Sequence, residues 1–251
     1  MATRPKQKPR QPTGEPLHDE PMGLLEHIEE LRRRLLISLI ALAIGTAVGL
    51  IFGERVLHFL TTPIGGLEQL QSIEITENVG VFMRVSLLTG FVVALPVIIS
   101  EQLIFVLRGL TPRVTRSVLL AIPAAVLLFL GGAAFAYYIL LPTAIPFLTS
   151  FLGVETRPRL SNYVSFISGL IFWLGISFEM PLLVYILARF RIVTAGFLLK
   201  QWRYALIVIA VVAAIITPTV DPVNMALMMA PLIALFFLSI LFAWLAAPRK
   251  A

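Results

Sequence analysis

The chain has 251 residues, of which 58% are apolar and 14% charged, far below the roughly 25% charged of soluble domains. That balance excludes a single water-soluble core, and the absence of cysteine excludes disulfide frameworks, Cys-based zinc sites and thiol nucleophiles. The net charge of +6 comes from basic residues that flank apolar runs without forming a stripe of their own, which speaks for membrane topology and against a nucleic-acid partner.

Residues 1 to 21 are rich in Pro, Lys, Arg and Gln and show no apolar periodicity, which predicts a disordered cytoplasmic tail. They are too polar for a secretory signal peptide, so the first apolar run reads as a retained signal anchor. Between tail and run lies Leu24 to Leu35, where Leu24, Ile28, Leu31 and Leu35 recur at helical spacing. Glu26 and Glu30 stand one turn apart on another face, with Glu29 beside them. Glu29–Arg33 and Glu30–Arg34 are i, i+4 pairs, so the plainer reading is a salt-bridged interfacial helix.

Apolar runs then cover Leu35–Phe52, Val81–Leu107, Val118–Leu141, Tyr163–Ala188, Tyr204–Ile216 and Val223–Ala247. A helix needs about 20 residues to cross the hydrocarbon core. The fifth run, with 13 residues, is short and implies either recruited flanks such as Trp202 and Tyr204 or a locally thinned bilayer. Of the 20 Lys and Arg residues, 16 fall on one side of this pattern and four (Arg55, Arg84, Arg157, Arg159) on the other. The excess places both termini in the cytoplasm. The expected fold is therefore an all-α integral membrane protein of six transmembrane helices over residues 22–247, with tails at 1–21 and 248–251.

The outer segments carry their own signals. Glu54 to Asn78 has room for one or two short surface helices, broken at Thr62-Pro63 and Gly65-Gly66. The stretch with Pro142, Pro146 and Pro158, and Phe147 and Phe151 between them, predicts a compact outer cap. Asp221 followed by Pro222 fits an N-cap and first helical residue, so the sixth helix is expected to start there, with a kink at Pro231.

Glu179 stands near the middle of the fourth run. A carboxyl there costs about 2.5–3.5 kcal/mol on insertion scales, so it is expected to face protein or water. It is either a hydrogen-bonded structural acid or a functional polar contact. The three histidines (His18, His27, His58) lie in no metal-binding spacing, and no catalytic site, metal or cofactor is indicated.

Taken together, several motifs resemble the TatC family, the multi-pass core of the twin-arginine protein translocase. His27-Ile28-Glu29-Glu30-Leu31-Arg32-Arg33-Arg34-Leu35 is similar to that family's H-x-x-E-L-R-x-R motif before the first span. Thr62-Pro63, Leu95-Pro96, Phe105 before Gly109-Leu110, Ser177-Phe178-Glu179-Met180-Pro181 and Thr217-Pro218-Thr219-Val220-Asp221-Pro222 follow in the family's order.

The resemblance implies a receptor and not an enzyme. It would reside in the cell (inner) membrane and bind twin-arginine signal peptides of folded precursors at the cytoplasmic face. It would assemble with TatA-type and TatB-type single-span subunits and with further copies of itself, and draw on the proton-motive force. By the same resemblance Glu30 contacts the peptide arginines, and His27, Leu31 and Arg32 shape the leading helix. Phe105 belongs to the same surface, Pro63 shapes the outer cap, Glu179 faces the concave side, and Thr217, Pro218 and Asp221 lie near the partner-binding hairpin. Val114 stands where the family commonly has a second receptor acid, which leaves Glu26 or Glu29 as candidates, and Met225 replaces a usual polar residue in the sixth span. The competing reading is a small proton-coupled secondary transporter or channel using Glu179, although no second intramembrane acid is apparent in a matching half. A purely structural scaffold is the third.

Overall fold

A computed structural model of the chain describes residues 24–107, 115–150, 157–216 and 222–246. Both expected tails, residues 108–114 with Val114, and Thr217, Pro218 and Asp221 lie outside the described residues, as do the side chains of Glu26 and His27. Among the described residues the fold is almost wholly helical, and five helices are long and apolar enough to cross a membrane.

Helix α1 runs from Leu24 to Thr61 and fuses the amphipathic leading segment and the first apolar run into one rod. It continues past Glu54, so the first part of the expected outer loop is helical. Nothing in Glu54–Thr61 breaks a helix; the break comes at Pro63, inside a 3-10 turn over Thr62–Ile64. Gly65 and Gly66 follow with φ of 97° and 101°, which other residues rarely adopt, and a second 3-10 turn covers Leu67–Gln69.

Helix α2 (Glu77–Leu107) packs antiparallel along α1. Their closeness has a sequence cause. Gly45, Gly49 and Gly53 recur every four residues and make a flat stripe on α1. A Cβ on Gly45 or Gly49 would collide with the carbonyl oxygens of Gly90 and Ser86, and one on Gly53 would lie 2.8 Å from the Phe82 ring. Small residues at this spacing let helix backbones touch where no hydrophobic driving force separates helix from lipid.

The third span differs from expectation. Helix α3 (Thr115–Phe135) passes through a π-helical turn (Ala136–Leu140) into α4 (Leu141–Ser150), so Pro142 and Pro146 are helical and not part of a loop. A proline in the first turn of a helix costs no hydrogen bond that the preceding turn must supply, and the π turn re-registers the ladder just before Pro142. Helix α5 (Leu160–Arg189) is unbroken through Pro181 and lies centrally against α2, α3 and α8. A short helix α6 (Ala195–Lys200), capped by the Thr194 hydroxyl accepting from the Phe197 N–H at 3.2 Å, precedes α7. Helix α7 (Trp202–Ile216) has 15 residues, extending the short fifth run by Trp202 and Arg203. Helix α8 (Pro222–Ala246) starts at Pro222, as expected, and contains Pro231.

The main core gathers Leu60, Val85, Leu141, Val164, Ile167 and Leu174. A second cluster of Leu95, Ile99, Ala125 and Phe129 lies between α2 and α3. Leu39, Ile40, Ile44 and Ile51 on α1, and Ile207, Val208, Val211 and Ile215 on α7, stay exposed, an apolar surface suited to lipid.

Candidate functional site

Two polar sites mark opposite ends of the helices. The first is built by the start of α1 and the last turns of α2. On α1, the i, i+4 spacing sets Arg34 against Glu30, and the Arg34 Nε donates to the Glu30 carboxylate at 2.8 Å. The same guanidinium reaches across to α2, where its Nη1 donates to Glu101 Oε2 at 2.7 Å. Arg34 thus bridges two carboxylates on different helices. Glu30 is buried, with 6% of its side chain exposed, against 17% for Glu101. An exposed interfacial pair does not describe this acid; burial makes both its charge and its partners matter more.

Beside the bridge lies a cavity of about 770 Å³, lined by three acids (Glu29, Glu30, Glu101), three arginines (Arg32, Arg33, Arg34) and the apolar Leu36 and Ile37. The arrangement suits a cationic peptide with an adjoining apolar stretch. Carboxylates meet a planar guanidinium in bidentate fashion, which an ammonium does not match. Leu35, Leu36, Leu39 and Ile40 continue along α1 as an exposed apolar track.

The structure brings Glu30 and Arg32 to this cavity. Leu31 is exposed and is not among the lining residues. Phe105 lies one turn beyond Glu101 on α2, hence on the same helix face, although it is not among the lining residues. Glu26 and His27 occupy the first turn of α1, with Glu26 one turn before Glu30.

Glu101 is the residue that sequence reasoning missed. It lies within the second apolar run, where it is the single acid between Val81 and Leu107, near the run's basic end. That isolation was the available signal. A second acid is therefore joined to Glu30 through Arg34 from α2, in addition to the candidates on the leading helix.

The opposite end carries a braced cap. Glu77, in the first turn of α2, accepts from the N–H groups of Ile73 (2.9 Å), Glu74 (3.3 Å) and Ser161 (2.8 Å) and from Arg159 Nε (3.1 Å). Arg159 also pairs with Glu74 at 2.7 Å, and hydrogen bonds to Glu74 and Glu77, with their charge, raise its pKa further. Gln71 joins this strut by a single parallel bridge to Arg159, through hydrogen bonds with Pro158 and Leu160. Tyr163 and Tyr137 donate to the carbonyls of Leu60 and Phe59 at 2.9 and 2.6 Å, fastening the end of α1. Pro63 lines a cavity of about 510 Å³ here, with Ile145, Pro146, Arg157 and Pro158.

Glu179 sits in α5, half-buried, and makes no hydrogen bond or ion pair among the described residues. It is far along the chain from both polar sites and belongs to neither. Among the described residues no group of acids and histidines is arranged to hold a metal ion.

Comparison with known proteins bears on the family of the chain. A family profile described as Sec-independent protein translocase protein (TatC) matches residues 26–231. A Sec-independent protein translocase protein TatC of Koribacter versatilis is 38% identical over 91% of this chain and 88% of its own length. The protein of the same description from Carboxydothermus hydrogenoformans is 34% identical over 93% of this chain and 98% of its own. A crystal structure described as the twin-arginine translocase receptor TatC superposes with a TM-score of 0.80 at 34% identity, covering 88% of this chain and 99% of that one.

Proposed function

The chain belongs to the TatC family of Sec-independent protein translocase proteins, and from that premise we propose that it is the signal-peptide receptor of a twin-arginine translocase. It is a multi-pass membrane protein; in our reading α7 is the sixth crossing, and both termini lie in the cytoplasm of the cell's inner membrane. Fifteen helical residues rise only about 22 Å, so the bilayer thins at α7 or the polar flanks complete the crossing.

The observation that carries the reading is the buried Glu30 at the rim of an acid- and arginine-lined cavity on the basic end of the helices. Signal-peptide arginines would bind there by charge-assisted, bidentate contacts, with the peptide's apolar stretch running along α1. At 4 Å and an effective dielectric near 20 the bare Coulomb attraction of one such pair is about 4 kcal/mol, before desolvation is subtracted. Two acids supply selectivity that one would not, and Glu101 supports a second. The protein acts as a receptor and assembly platform and not as an enzyme. TatA-type and TatB-type single-span subunits and further copies of the chain are its partners, and the proton-motive force drives transport.

The test is binding of a synthetic twin-arginine signal peptide to the full chain in lipid nanodiscs. A twin-lysine peptide serves as the control. Loss of binding in Glu30→Gln, and preference for arginine over lysine, are the expected results. Equal binding by Glu30→Gln and the unaltered chain would remove the receptor assignment from this cavity.

A further inference from the structure

We propose that Arg34 is a tethered placeholder: its guanidinium fills the position between Glu30 and Glu101 that an arginine of the incoming peptide takes, and binding proceeds by exchange of one guanidinium for the other. This rests on the receptor reading above and adds to it a second acid and a built-in competitor.

Three observations carry it. The Arg34 guanidinium contacts both carboxylates at once, at 2.7 Å each. It does so from the same helix as Glu30, four residues on, so rotation of the Arg34 side chain alone, with no movement of either backbone, releases both carboxylates. The cavity of about 770 Å³ alongside gives the displaced side chain somewhere to go and the ligand a way in.

Charge balance points the same way. The lining holds three acids and three arginines, so with Arg34 in place the acids and arginines of the cavity are equal in number. Once Arg34 rotates away, Glu30 and Glu101 each give up one guanidinium contact at the point where the ligand's guanidinium arrives. A peptide with a single basic residue gains little by such an exchange, since it replaces one guanidinium by another. A second arginine, meeting Glu29 or its neighbours, tips the balance. The placeholder would thereby discriminate against weakly basic peptides that a permanently open acidic site would capture.

Exchange has a quantitative consequence. A ligand that binds only the open form has its affinity reduced by the fraction of time that form exists. If Arg34 holds the acids for about nine-tenths of the time, removing it strengthens binding roughly tenfold. Glu101 behaves in a linked way. In the unaltered chain its loss also loosens Arg34, which offsets part of the lost contact, whereas without Arg34 the whole contact is lost.

The experiment measures affinity for a twin-arginine signal peptide in nanodiscs, using the full chain and Arg34→Gln, Arg34→Lys, Glu101→Gln and the Arg34→Gln/Glu101→Gln double variant. Tighter binding by Arg34→Gln, by a smaller factor with Arg34→Lys, and a larger penalty for Glu101→Gln in the Arg34→Gln background are expected. Where Arg34→Gln does not fold, Arg34→Lys, which retains the charge but not the two-sided bridge, supplies the reading. Unchanged or weaker binding by the folded Arg34 variants, with Glu30→Gln still abolishing it, makes Arg34 a strut between α1 and α2 and overturns the placeholder while leaving the receptor intact. Retained binding by Glu30→Gln overturns both.

Discussion

Glu77 and Arg159 are 82 residues apart in sequence and joined in the fold by a 3.1 Å contact from Arg159 Nε to the Glu77 carboxylate. Only 1% of the Glu77 side chain is exposed, and the same carboxylate serves three backbone N–H groups. It holds the start of α2, the start of α5 and the connecting cap together at the end opposite the candidate receptor cavity.

The strut therefore yields a graded expectation. Glu77→Ala leaves three N–H donors and a guanidinium without their shared acceptor and should lower the unfolding temperature most. Arg159→Ala should cost less, because the backbone contacts to Glu77 survive. Glu74→Ala removes a carboxylate whose side chain is 64% exposed and should be close to neutral. Thermal unfolding of the three variants in one detergent checks the order; a neutral Glu77→Ala would deny the cap its role.

The seam between α1 and α2 predicts coupling between packing and ligand binding. Gly49→Leu drives a side chain into the Ser86 carbonyl and pushes the helices apart, at about 1–3 kcal/mol or more. Glu30 and Glu101 stand on those two helices, so separation should also break the Arg34 bridge and weaken peptide binding. Gly131→Ala is the control. Nothing lies within 4 Å of its added Cβ, and the change should leave binding as it was.

Much of this was legible in the residues. The apolar runs marked six helical segments, and the Glu30–Arg34 spacing marked the pair that forms. Pro222 marked the start of α8. What was not legible depends on partners far along the chain. Glu101 gains meaning only when α2 brings it to Arg34, 67 residues away. Gly45, Gly49 and Gly53 looked like ordinary members of an apolar run until Ser86 and Gly90 filled the space beside them. Pro142 and Pro146 suggested a loop because local propensity carries no account of a π turn that lets the helix continue.

Tyr163 should behave as a latch. Its buried hydroxyl is held by the Leu60 carbonyl at the end of α1. Tyr163→Phe keeps the ring and orphans that acceptor, costing about 1 kcal/mol, or roughly 2–4 °C in unfolding temperature for a chain of this size. The loss should be confined to stability, with peptide binding at the far end of α1 unchanged. A thermal scan paired with the binding assay separates the two effects.

The topology we propose assigns the segments near 108–117 and 189–203 to the cytoplasm. Single cysteines at Thr115, Gly196 and Thr219 can report it, since the chain has none of its own. Position 196 accepts a side chain freely, with nothing within 4 Å of an added Cβ. From outside intact cells an impermeant thiol reagent should reach only the cysteine at 219. Labelling at 115 and 196 without 219 would invert the arrangement.

Glu179 gives the last expectation. It lies in the middle of a helix long and apolar enough to cross a membrane, half-buried, with no polar partner among the described residues. A carboxyl at that depth costs about 2.5–3.5 kcal/mol on insertion scales, and no hydrogen bond here offsets it. Its neighbour Phe178 packs against the Phe135 ring, with centroids 5.7 Å apart, an apolar contact that does not involve the acid. No polar contact among the described residues accounts for the acid. Glu179→Leu should fold at least as well as the unaltered chain and yet lower transport of a folded precursor in cells that depend on it. Glu179→Gln keeps a polar group of the same shape, and should retain transport if the role is a hydrogen bond, but lose it if the role needs a charge or a proton. The two substitutions together also decide between the receptor and the proton-coupled alternative. Peptide binding at the Glu30 cavity should be untouched by either variant, whereas a transporter reading predicts that pH dependence of transport disappears in Glu179→Gln. Full transport by Glu179→Leu would leave the acid without any function in this chain.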